Sequence, residues 1–161
     1  LLDVRNLKKF FPVRKGLFSR VAAYVKAVDD VSFEVPAGPA LGILDQPAAW
    51  EAAELAVLCE DPDAPRGPFI HWVLAGLQPT ATGLAEGEHP AAAVEGRNDF
   101  GEEGYSGPRP PVGDGPHRYV FRVFAASGPL GLVAGASADD LRRALEGKEL
   151  ASGTLIGTYQ R

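Results

Sequence analysis

The sequence predicts a mainly β fold with one helix late in the chain and long Gly/Pro-rich loops, and three observations predict it. Gly and Pro number 19 and 14 among 161 residues, about 20% against an average near 12%, which suits turns and works against a helical bundle. Short runs alternate apolar and polar residues, the period of a half-buried strand. A single segment, beginning at Ser137, carries both a helix cap and apolar residues one turn apart.

The elements follow in order. Residues 2–7 alternate as a strand, and Lys15-Gly16 supplies a turn after Phe10-Phe11-Pro12-Val13. Residues 25–35 read as a second strand, stopped by Pro36-Ala37-Gly38. A short buried strand is expected over 41–44, with further strands over 54–59 and 69–74. Residues 95–117 hold six Gly and four Pro, so a structured loop with little regular ladder is expected there. Over 118–124, Tyr119, Phe121 and Val123 share one strand face, and Arg118 and Arg122 share the other. Ser137 is a good N-cap, Asp140 completes a capping box, Leu141 and Leu145 lie one turn apart, and Gly147 offers a stop. A last strand closes the chain over 154–159. Burial is expected for Leu55, Val57, Trp72, Leu74, Phe121, Val123, Leu141 and Leu145. Val28, Val31, Phe33 and Val35 are expected to pack on the same sheet, since their apolar surface gains by leaving water.

Composition excludes several classes. The single cysteine, Cys59, allows neither an internal disulfide nor a cysteine-based zinc site, and reads as a small buried apolar residue. No metal or cofactor is expected. No apolar run approaches the ~18 residues of a membrane span, and no apolar leader core opens the sequence, so a cytoplasmic protein is expected. With Leu1 first and no methionine anywhere, the numbering reads as starting inside or after processing of a longer product. Residues 1–26 carry seven Lys/Arg against Asp3, a net of +6, which leaves −11 on the remainder of a chain of net −5. No aromatic platform or nucleic-acid motif accompanies this basic arm. It reads as a solvated surface, and no nucleic acid is expected as partner.

Two resemblances divide the chain. Residues 1–44 resemble the amino-terminal segment of oligopeptide/dipeptide ABC transporter ATPases, through Leu1-Leu2-Asp3-Val4-Arg5-Asn6-Leu7-Lys8-Lys9-Phe10-Phe11-Pro12-Val13-Arg14 and Val25-Lys26-Ala27-Val28-Asp29-Asp30-Val31-Ser32-Phe33. That family continues into a phosphate loop whose backbone N–H groups and Lys cradle nucleotide phosphates. Here Asp45-Gln46-Pro47-Ala48-Ala49-Trp50 follows instead, so ATP hydrolysis is not expected.

From about Trp50 onward the chain resembles the phosphatidylethanolamine-binding protein (PEBP) family, in its bacterial Raf-kinase-inhibitor-like branch. The motifs come in that family's order: Asp61-Pro62-Asp63-Ala64-Pro65, Phe69-Ile70-His71-Trp72-Val73-Leu74, Gly96-Arg97-Asn98-Asp99-Phe100-Gly101, Gly104-Tyr105-Ser106-Gly107-Pro108-Arg109-Pro110-Pro111, Gly115-Pro116-His117-Arg118-Tyr119 and Gly157-Thr158-Tyr159. The resemblance implies a β-sandwich with a small anion pocket for phosphate or a phosphoethanolamine headgroup, without enzyme activity, and a kinase or protease as protein partner. It places that pocket on Asp61, Asp63, His71, Tyr105, Pro110, Pro111, His117 and Tyr119. The whole then reads as a chimera, 1–44 ABC-like and 45–161 PEBP-like, with self-association into a homodimer left open.

The residue chemistry agrees with a pocket. Two histidines can donate to a phosphoryl oxygen, a carboxylate behind a histidine fixes its tautomer, and a Gly/Pro wall admits a ligand closely. Asp61 and Asp63 repel anions, so their expected work is orienting His71, His117 or Arg118. The plain alternatives are a structural histidine in a strand, a strand-end turn at Asp61-Pro62-Asp63, and core aromatics at Tyr105 and Tyr119. Arg97-Asn98-Asp99 is expected to pin the long loop through side-chain to backbone bonds. Two catalytic readings compete. A hydrolase using Ser106 lacks the G-x-S-x-G elbow because Pro108 stands at the second Gly, and a metal site of His71, His117 and Asp61 lacks local ligand spacing. A degenerate nucleotide-binding fragment is the remaining alternative.

Overall fold

A computed structural model describes residues 2–15, 20–35, 47–81, 84 and 90–161, with side chains from residue 48 onward. Strands β1 (Leu2–Lys15) and β2 (Arg20–Val35) form an antiparallel hairpin with several register shifts, a two-stranded sheet of its own. Both strands run longer than their alternation suggests. The strand expected over 41–44 and the side chains of Val28, Val31, Phe33 and Val35 lie outside the described residues.

The larger sheet is antiparallel in the order β5-β4-β3-β6-β7, from β3 (Glu54–Asp61), β4 (Phe69–Leu77), β5 (Val94–Glu95), β6 (His117–Ala126) and β7 (Glu149–Tyr159). A short 3-10 turn, Pro47–Glu51, leads into β3. β3 sits at the centre and is buried over nearly its whole length, because both sheet faces are covered. One face packs Ala56, Leu58, Val73, Ala75 and Phe124 against Leu141 and Leu145 of the helix α1 (Ala138–Leu145). The opposite face gathers Leu55, Val57, Leu74, Ala125 and Ala151, with Trp72 and Val123 half-buried at its margin. Five of the eight expected core residues are buried, and Trp72, Phe121 and Val123 are intermediate.

The helix forms where its caps predict. Ser137 accepts from the Asp140 N–H while the Asp140 carboxylate accepts from the Ser137 N–H, the reciprocal pair that satisfies two orphan donors. The bond from the Ser137 hydroxyl and the Arg143 ion pair hold the Asp140 carboxyl low, at about 2.

Residues 96–116 form the predicted irregular loop, and Asn98 pins it. Its amide donates to the Gly104 carbonyl, and its side-chain oxygen accepts from the N–H groups of Phe100 and Glu102. Asp99 accepts from the Ile70 N–H, which ties the loop to β4. Gly96 is required sterically: a Cβ there would lie 2.4 Å from the Ala136 carbonyl oxygen and 2.6 Å from Val73.

Candidate functional site

The site assembles where β3, β4 and β6 end together. Residues 55, 57, 59 and 61 of β3 share one face, as do 117, 119, 121, 123 and 125 of β6, because side chains alternate. Asp61, His117 and Tyr119 therefore stand on the face that carries Leu55, Val57 and Ala125 further along. β4 reaches the site through a bulge. Cys59 pairs with Trp72 but Glu60 pairs with Ile70, so His71 is the extra residue on its strand. A bulge re-aims a side chain, and here His71 is left against the pocket while Ile70 packs on the helix-covered face.

His117 and Asp61 make the central contact. His117 Nδ1 lies 2.7 Å from Asp61 Oδ2, and both side chains are buried. Since the carboxylate accepts, Nδ1 carries the proton. His117 Nε2 lies 3.6 Å from Asp114 Oδ2. The hydrogen bond to Asp61 chiefly raises the His117 pKa, with both aspartates adding and desolvation opposing.

His71 has the opposite character. Its Nδ1 lies 2.7 Å from the Ser106 carbonyl oxygen, and the Ser106 N–H donates back to the His71 carbonyl at 3.0 Å. The ring packs against Phe69, Phe100 and Tyr119, with centroids 5.1, 5.7 and 5.1 Å away. Burial pushes its pKa down, opposed mainly by the Ser106 carbonyl and Asp61. Beside it, the buried Tyr119 hydroxyl has no hydrogen-bond partner among the described residues, and burial raises its pKa, with Asp61 adding.

A cavity of about 240 Å³ is lined by Asp61, His71, Pro110, Pro111 and His117 among the residues expected at the pocket. Three expected residues stand elsewhere. Asp63 faces away to hold Arg118 in a fork, with Nε to Oδ2 at 2.9 Å and the terminal nitrogen to Oδ1 at 2.7 Å. The Arg118 guanidinium keeps the Asp63 carboxyl well below the usual carboxylate range. Asp61 thus orients His117 and Asp63 orients Arg118, each within the set of pairings the carboxylates suggested. Tyr105 is half-exposed and stacks on Trp72 and Phe121, outside the cavity lining. Tyr119 stands behind His71.

Seven lining residues lie outside the expected set, Arg66, Phe69, Phe100 and Arg109 among them. Phe69 and Phe100 sit inside quoted motifs, but an aromatic in a strand or turn reads equally well as core. The Arg109 guanidinium lies 5.5 Å from the centre of the Phe100 ring, a cation–π distance. A cation beside Pro110-Pro111 was the available signal for it.

The geometry gives Ser106 no nucleophile's role, since it meets His71 through its backbone groups. Among the described residues no cluster of three His, Cys, Asp or Glu side chains could hold a metal ion. None of the described helices is long and apolar enough to cross a membrane.

The antiparallel sheet ends in a cavity lined by two histidines, and comparison with known proteins gives the family. The family model for phosphatidylethanolamine-binding protein matches residues 16–160, and the chain belongs to that family. A UPF0098 protein of Methanothermobacter thermautotrophicus is 43% identical over 128 residues, covering 73% of this chain and 83% of that one. A UPF0098 protein of Pyrococcus horikoshii is 42% identical over 114 residues, and there the match covers 66% of this chain but 57% of the relative. Among solved structures, Escherichia coli YbcL, described as a new member of the mammalian PEBP family, superposes with a TM-score of 0.64 at 31% identity, over 69% of this chain and 73% of that one. A PEBP homologue of Chlamydia trachomatis gives 0.65 at 35% identity, over 81% and 78%. The family match begins at Gly16 and runs through most of the segment that resembles an ABC ATPase. The comparisons lend that second resemblance, and the chimera built on it, no support.

Proposed function

We propose that this chain is a non-enzymatic binder of small phosphate-like anions, phosphoethanolamine among them, held between His71 and His117. The buried Asp61–His117 pair at one wall of the cavity carries the reading. Asp61 offsets the charge on the imidazole and fixes a hydrogen on Nδ1, Asp114 lies 3.6 Å from the second nitrogen, and a carboxylate-backed imidazolium is a strong donor to an oxyanion. Arg66 and Arg109 at the lining add positive charge that attracts anions from solution. Pro110 and Pro111 form part of the wall and bring no backbone N–H of their own. Support for a binding rather than a catalytic role comes from Ser106, which meets His71 through its backbone groups rather than as a nucleophile.

Calorimetric titration with inorganic phosphate and with phosphoethanolamine at pH 6 tests the reading. Saturable binding is expected, weakened about 10- to 150-fold in His117→Ala, the loss of one charge-assisted hydrogen bond. Ser106→Ala should leave affinity unchanged. Absence of binding by the intact chain, or equal affinity in His117→Ala, would overturn it.

A further inference from the structure

The two histidines present opposite faces to a ligand. The Ser106 carbonyl can only accept, so His71 Nδ1 must carry the hydrogen of that 2.7 Å bond. In the neutral ring Nε2 is then a bare lone pair. The ring cannot turn to reverse this, because it is 2% exposed, wedged among Phe69, Phe100 and Tyr119, and its backbone is clamped to Ser106. Among the described residues the ring's one close hydrogen bond is at Nδ1, with the Gly107 carbonyl adding a weaker pull. His71 lines the cavity, and Nε2 is the ring nitrogen left to face it. Burial of the ring favours this neutral form. Across the pocket, His117 has Asp61 on Nδ1 and Asp114 near Nε2, so its charged form is favoured and Nε2 donates.

An oxyanion seated between them must accept from His117 and donate to His71. A fully deprotonated anion meets lone pair with lone pair at His71. From this juxtaposition we infer that the pocket selects an oxyanion bearing its own hydrogen, a P–OH group that donates to His71 Nε2, over anions of equal charge and shape that bear none. His71 is then a specificity-determining residue. The inference rests on the anion-pocket reading and names its ligand class. A site built around a ligand hydrogen rejects the analogue without it, because a buried polar atom is left unpaired. The P–OH can belong to inorganic phosphate or to a singly protonated phosphomonoester, whereas a phosphodiester lacks it.

Phosphate and sulfate are the discriminating probes. At about pH 7.5 both are mostly dianions of tetrahedral shape, and only phosphate retains a hydrogen. Calorimetry on the intact chain should show phosphate bound roughly 10-fold or more tightly than sulfate, the cost of one unmade hydrogen bond at a buried atom. In His71→Gln the amide can present either its oxygen or its NH2, and the ratio should fall to within about threefold. Phosphoethanolamine should outcompete glycerophosphoethanolamine once singly protonated, near and below about pH 6. Nitrogen-15 NMR of the wild-type imidazoles, which needs no variant to fold, should find His71 neutral with its hydrogen on Nδ1. Equal affinity for phosphate and sulfate, or a His71 hydrogen on Nε2, would overturn the selectivity and leave the anion pocket standing. Failure of both anions to bind would overturn the pocket itself.

Discussion

The two faces of the central sheet use the same strands for different ends. On the helix-covered face, Leu58, Val73, Phe124, Leu141 and Leu145 interlock, and charge enters at the margins, where Glu60 pairs with Arg122 and Arg142 and Glu54 accepts from the N–H groups of Gly76 and Leu130. On the other face, the apolar rows of β3 and β6 run into Asp61, His117 and Tyr119 at their ends. A face that only packs tolerates volume changes poorly and polar changes worse. A face that ends in a site must keep buried polar atoms in fixed partnership, since each one left unpaired is costly. Stability should therefore follow the first face, and ligand affinity the second.

The sharpest break is at Leu141, fully buried under the sheet. Leu141→Ala should lower unfolding free energy by about 2–5 kcal/mol in urea melts while leaving phosphate affinity of the folded fraction unchanged. A parallel loss of affinity would mean that the faces are coupled.

His117→Gln breaks the second face and carries a pH signature. The folded-state pKa of His117 is raised, so its pairing with Asp61 stabilises fully below the unfolded histidine value near 6.5 and is lost as pH rises through the higher folded value. The stability difference between wild type and His117→Gln should shrink from pH 6 to pH 9. A difference independent of pH would show that the pair contributes packing alone.

At the edge of the first face, Ser137→Ala should cost about 1 kcal/mol, the usual worth of an N-cap, with no change in anion binding. Because its partners hold Asp140 at about 2, the acid side of this cap is stabilising above the ordinary unfolded aspartate value near 3.9 and fades as pH falls through 2. The smallest expected effect is at the rim of the second face. Arg109→Gln should weaken phosphate binding only a few-fold, and the difference should vanish at high salt, as expected for an exposed charge.

Much of this molecule was legible because it is local. The helix announces itself within three residues through Ser137 and Asp140, and the strands through a period of two. Trp72, Phe121 and Val123 lie on the face their alternation predicts, yet they are half-buried because they sit at the margin of a face whose covering comes from distant segments. β5, with only Val94–Glu95, is too short to carry a pattern. The motifs pointed to His71, His117, Asp61, Pro110 and Pro111, all at one cavity. They did not separate Asp61 from Asp63, two residues apart in the same turn, of which one backs His117 and the other grips Arg118.

Composition, strand and helix periods, capping chemistry and the order of motifs could all be read along the chain, since each depends on neighbours a few residues away. The partnership of Asp61 with His117, 56 positions apart, required β3 and β6 to pair in one register. The role of His71 required a bulge in its pairing with β3 and a carbonyl 35 positions away to receive its hydrogen. A histidine in a sequence is both donor and acceptor; which of the two it offers a ligand is settled by the partner that folding places at its other nitrogen.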